Sequence, residues 1–154
     1  MNIIDTRSNI KPRDYKEDSI KNIPLFETRG VEYSISSNDF TDVIFQSIPS
    51  VEFFEEKEKL INKNIYVMGP STKNFLSQKG LDSISPDIPG SKELIKLLSM
   101  NENNKFLIIK GADGLKDVFN YLNGNLNCVE EVICYERVKF DNYDNLKEPF
   151  LDPD

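Results

Sequence analysis

The chain has 154 residues, 38% hydrophobic and 29% charged, with a net charge of −7 and no histidine. That length holds one ordinary domain with a real core, and hardly two. The charge and the missing imidazole argue against a nucleic-acid face, a Ser-His-Asp triad, an imidazole base and most zinc sites, so no nucleic acid and no metal are expected.

The opening MNIIDTRSNI lacks the apolar region of a signal peptide, and no stretch approaches the roughly 20 apolar residues of a membrane span. A cytoplasmic location with no membrane partner is expected. Residues 1–33 hold a strand-like NIIDTR, a polar stretch that is a poor helix, and then IPLFETRGVEYSI. From there four short apolar runs read as strands buried on both faces: Val43 to Phe45, Ile65 to Met68, Phe106 to Ile109 and Val129 to Tyr135. A weaker strand is expected around Ser83 to Ser85. Between the strands, Val51, Phe54 and Ile61 recur at helical spacing, as do Leu94, Ile95, Leu97 and Leu98. Leu115, Val118, Phe119 and Leu122 follow i, i+3, i+4, i+7.

Strand and helix alternate, which predicts an α/β fold: an open parallel sheet with helices on both faces. Pro49 and Pro70 suit first helical turns, Gly80 a helix C-terminus, and Ser91 and Asp113 N-caps. Cys128 and Cys134 lie six apart in one apolar run, so both are expected on one strand face as buried, reduced thiols. After Arg137 the chain turns acidic and is expected to be extended or disordered.

Three junctions of similar kind, FQSIPSVEFF, IYVMGPSTKNFL and IIKGADGLKDVF, would lie beyond the carboxyl ends of the strands, where open sheets gather ligands. Helix first turns offer N–H groups without internal partners, and Ser47, Ser50, Ser71 and Thr72 add hydroxyls. Gly69, Gly111 and Gly114 allow close backbone approach. Together they suit carboxylates or phosphates. The plain alternative is that such residues merely make βα turns. GADG matches neither GxGxxG nor the P-loop, so no nucleotide site is indicated.

In order, these segments resemble the uroporphyrinogen-III synthase family. DVIFQSIPSVEFF resembles its Phe-Thr-Ser strand-turn-helix, and IYVMGPSTKNFLSQKGL its Val-Gly-x-x-Thr turn with a helix ending at Gly. PDIPGSKELIKLL resembles its Pro, Ser, Leu-Leu segment, and KFLIIKGADGLKDVFNYL its strand and Gly-x-x-Gly turn. VEEVICYER resembles the strand closing on Tyr-Glu-Arg, and IIDTR the opening strand with its Thr-Arg, Ser8 standing where Pro is usual.

The resemblance implies two α/β domains joined by a two-stranded linker. Here it divides the chain into residues 1–33 (strand, reduced helix and outgoing linker, a remnant of the split domain), 34–135 (the continuous domain) and 136–154 (returning linker and acidic tail). The split domain is then only a stub. The implied activity is dehydrating cyclisation of hydroxymethylbilane to uroporphyrinogen III with inversion of the last pyrrole ring, in tetrapyrrole and heme biosynthesis. No cofactor is implied. The partner is a small-molecule tetrapyrrole substrate, supplied by an upstream hydroxymethylbilane synthase.

Carried over by position, Tyr135 is the catalytic candidate, a hydrogen-bonding group for the leaving hydroxyl. Arg7, Ser47, Gly69, Thr72, Gly111 and Gly114 are the substrate-binding candidates. Gln46 stands where the family has Thr, and Leu115 where many relatives have Arg. Two other readings remain open: a truncated, non-catalytic member that binds tetrapyrrole carboxylates weakly or not at all, and a flavodoxin-like module for another small anion.

Overall fold

Alternate side chains of a strand face opposite ways, and in this chain they sort into two separate apolar cores. A computed structural model describes residues 3–6, 20–100 and 102–139. Among them the strands are β1 (Ile3–Asp5), β2 (Ile20–Asn22), β3 (Phe26–Gly30), β4 (Asp42–Phe45), β5 (Asn64–Val67), β6 (Lys105–Gly111) and β7 (Cys128–Lys139). The helices are α1 (Ile48–Phe53), α2 (Pro70–Ser77), α3 (Ser91–Leu98) and α4 (Asp117–Gly124), with a 3₁₀ turn at Lys57–Leu60. Arg7, the polar stretch after it and the acidic tail beyond Lys139 lie outside the described residues.

The main sheet has the order β3-β7-β6-β4-β5, and β4 pairs in parallel with both β5 and β6, as β6 does with β7. The strand expected around Ser83 to Ser85 is a single parallel bridge, Ile84 to Tyr66, that extends the sheet past β5. Separately, β1 and β2 pair in parallel. The chain divides into two compact units, residues 30–136 and residues 1–29 with 137–154, and the boundary falls within β3 and β7.

Val43, Phe45, Ile65, Val67, Leu107 and Ile109 join Val51, Phe54 and Leu76 in one core, under α1 and α2. Ile44, Tyr66, Phe106 and Ile108 join Leu94, Leu98, Val118 and Leu122 in the other, under α3 and α4. The sheet is thus covered on both faces, the α/β arrangement expected from the alternation. Each fully buried Leu, Ile, Val or Phe contributes about 1.5–3 kcal/mol. The two cores are therefore what hold the strand ends in place.

Helix ends follow the signals in part. Pro49 and Pro70 sit in first turns. Gly80 closes α2 at φ 76°: its N–H reaches Ser77 O and the Leu81 N–H reaches Leu76 O, the paired bonds of a Schellman end. Two expected caps are displaced. Gly90 at φ 138° is the N-cap of α3, while the Ser91 hydroxyl donates to Asp117 Oδ2 at 3.0 Å. Helix α4 begins at Asp117, not after Asp113, and leaves Leu115 in the preceding turn, 58% exposed. The expected helix from Val51 to Ile61 breaks after Phe53.

Candidate functional site

The strand order contains one reversal. From β4 the chain moves outward to β5 with its helices on one face, then returns past β4 to β6 and β7 with helices on the other. The carboxyl ends of β4 and β6 are therefore the switch point, where connections leave in opposite directions and where open α/β sheets form a crevice. Two of the three sequence junctions, Gln46–Ser47 and Gly111–Leu115, meet there, with Gln46 N donating to Ile109 O at 3.1 Å.

A bulge brings in the third component. Lys110 lies opposite Ile133, but Gly111 lies opposite Tyr135, so Cys134 is an extra residue in β7. The bulge sets Tyr135 level with the end of β6. Its ring lies against Gly111 so closely that a Cβ there would fall 2.5 Å from Tyr135 Cζ. Phe53 stacks on the same ring at 6.1 Å between centroids. The Tyr135 hydroxyl reaches Ser47 Oγ at 3.0 Å, either group donating. Ser47, Gly111 and Tyr135 thus converge in space, although Tyr135 itself is only 5% exposed.

Ser47 has a second task. It is the N-cap of α1: Ser50 N donates to its Oγ at 3.3 Å, and Ser47 N donates to Ser50 Oγ at 3.1 Å. The first turn of this six-residue helix is therefore capped from within, and Ser50, fully buried, is no ligand hydroxyl. The β6 turn is similarly committed. Ala112 N donates to Tyr135 O and Gly114 N to Gly111 O, both at 2.9 Å. A Cβ at Gly114 would meet Lys110 Cε at 2.7 Å, Gln46 Oε1 at 2.8 Å and Gly111 O at 3.0 Å.

Gly69 and Thr72 lie at the neighbouring β5–α2 turn. Gly69 is extended, at φ 174°, so its side chain is excluded by space and not by backbone: Pro89 Cβ would sit 2.8 Å from an added Cβ. No side chain caps the N-terminus of α2. Thr72 is buried at 6% exposure, whereas Ser71 is exposed. Arg7 lies outside the described residues.

Sequence reasoning missed Lys110 and Glu131. A lysine closing an apolar run reads as a side chain leaving the core, and its partner is visible only once the β6–β7 register is known. It also misjudged one thiol. Val132 and Cys134 join one core, but Cys128, two pairs earlier on the same alternation, is exposed at the strand's start. Burial pushes the Cys134 thiol up to about 12. An open groove of about 600 Å³ beside Phe53 and Cys134 carries Glu32, Glu55 and Glu56. Its carboxylates oppose an anionic ligand. Tyr33 lines it too, its hydroxyl accepting from Glu55 N at 2.8 Å and its pKa raised mainly by burial.

The family model for uroporphyrinogen-III synthase HemD matches residues 22–152. No curated protein sequence matches the chain. Among solved structures, the fold is similar to that of uroporphyrinogen-III synthetase from Helicobacter pylori, with a TM-score of 0.65 at 17% identity, over 92% of this chain and 63% of that one. It is also similar to a mutant uroporphyrinogen III synthase from the extreme thermophile Thermus thermophilus, with a TM-score of 0.59 at 14% identity, over 86% and 59%. The chain thus spans less than two thirds of the length of either. At these identities the structures establish the fold, and the family model establishes the kinship.

Proposed function

The chain belongs to the uroporphyrinogen-III synthase family, and from that membership we propose that it acts in tetrapyrrole biosynthesis, converting hydroxymethylbilane to uroporphyrinogen III with loss of water and inversion of the last pyrrole ring. The observation that carries this reading is the Ser47–Tyr135 hydroxyl pair, set over Gly111 at the switch point. The substrate hydroxyl leaves as water, taking its proton from solvent, and a hydrogen bond donated to the leaving oxygen eases cleavage of the C–O bond. Tyr135 would supply that hydrogen bond by exchanging its bond to Ser47, which keeps a partner in Ser50 N. The cationic azafulvene left behind is then held for attack at the substituted carbon, a task of positioning and electrostatics.

Substrate carboxylates would meet the uncapped first turn of α2 beyond Gly69. Incubation with enzymatically generated hydroxymethylbilane tests the proposal. Uroporphyrinogen III formed faster than spontaneous closure is expected; only the type I isomer, at the spontaneous rate, overturns it.

One observation favours a second reading, a non-catalytic member that binds tetrapyrrole carboxylates weakly or not at all. The Ala112 and Gly114 amides are already spent within the protein, and Leu115 offers no charge at the adjoining position. Titration with uroporphyrin separates the readings: binding without turnover supports the second.

A further inference from the structure

A lysine at the end of a buried strand ordinarily snorkels to water, and Lys110 does not. It is 1% exposed. Its Nζ donates to Glu131 Oε1 at 2.9 Å and lies 3.5 Å from the carbonyl oxygen of Leu115. Gln46 Nε2 donates to that same carbonyl at 3.0 Å. Donors from β6 and from the residue just past β4 therefore converge on one turn oxygen, and Gly114 leaves the space through which both reach it. Glu131, on β7, holds the lysine in line, with Lys116 Nζ 3.8 Å from its other oxygen.

Stability does not require a charge pair here, because an apolar pair of similar volume often serves a buried site as well or better. What the charges add is direction: a donor aimed at a single carbonyl. We infer that Lys110 is a positioning residue which, with Glu131 and Gln46, braces the turn from Gly111 to Leu115 so that it presents one fixed surface to the crevice. The brace acts through the turn. Its consequence for substrate rests on reading the crevice as the tetrapyrrole site.

The test compares Lys110→Met, Lys110→Met with Glu131→Leu, and Lys110→Arg in the full chain. Three quantities are read: thermal unfolding, amide hydrogen exchange over residues 112–116, and affinity for uroporphyrin followed by fluorescence. Lys110→Met alone leaves the half-buried Glu131 carboxylate with only the more distant, exposed Lys116 beside it, so its Tm falls. The double variant is expected to regain the Tm, yet to exchange its turn amides about tenfold faster and to bind uroporphyrin about tenfold more weakly. Lys110→Arg, which keeps donors for both Glu131 and Leu115, restores both readouts. A double variant with wild-type exchange in the turn overturns the brace. Wild-type protein that binds no uroporphyrin overturns the reading of the crevice instead, and the exchange result still decides the brace.

Discussion

Tyr135 and Gly111 separate two kinds of residue effect. The Tyr135 hydroxyl meets a half-buried serine that has another partner, so Tyr135→Phe removes one modest hydrogen bond, worth about 0.5–1.5 kcal/mol. Formation of uroporphyrinogen III is expected to fall by about 100-fold or more if that hydroxyl assists the leaving group. Gly111→Ala does the reverse. It drives a methyl into the Tyr135 ring and is expected to destabilise by about 1–3 kcal/mol in a denaturant titration. A Tyr135→Phe variant with full activity would return the tyrosine to a packing role. The positions of Ser47 and Gly111 at strand ends were legible in the sequence because each ends or follows an apolar run, whereas the strand expected to close on Tyr135 continues to Lys139. Lys110 was not: its meaning depends on Glu131, and that pairing is set by strand register.

At the scale of elements, Ser47 joins two functions that substitution can part. It caps α1 and it faces Tyr135. Ser47→Ala loses both, at a cost of about 1 kcal/mol in unfolding free energy. Ser47→Asp keeps a capping oxygen and is expected to keep most of that stability. It also sets a negative charge where a polycarboxylate would lie, so the KM for hydroxymethylbilane should rise. Equal KM for wild type and Ser47→Asp would remove Ser47 from the binding surface. Strands were legible as apolar runs, and Gly80 as a helix terminus. The start of α4 was not, because Leu115 continues the helical spacing of Val118, Phe119 and Leu122 while its carbonyl is held by Gln46 and Lys110 in a turn. Tertiary contacts override periodicity there.

For the molecule as a whole, the alternation of strand and helix predicted the layered α/β sheet, but not which neighbour each strand takes. The same rhythm suits several orders. Only the observed one places the reversal between β4 and β6 and so locates the crevice. Global opening is reported by Cys134, which is fully buried, with its thiol pushed up to about 12 from an ordinary 9.0. Between those values the unfolded chain gives up a proton that the folded one keeps. Stability should therefore fall as pH rises above about 9, by up to about 1.4 kcal/mol per unit from this group. Cys134→Ala should flatten that part of the profile. In native protein a thiol reagent should label Cys128 promptly and Cys134 only on unfolding; rapid labelling of both would contradict the packing.

The place of β4 between β5 and β6 bears on how the molecule is made. Its first partner, β5, emerges soon after it, but β6 arrives only after two more helices have been synthesised. Contacts so distant along the chain close slowly. A nascent polypeptide halted before Lys105 would carry β4 with one of its two edges unpaired, so the crevice between the β4 and β6 ends cannot form until β6 has been made.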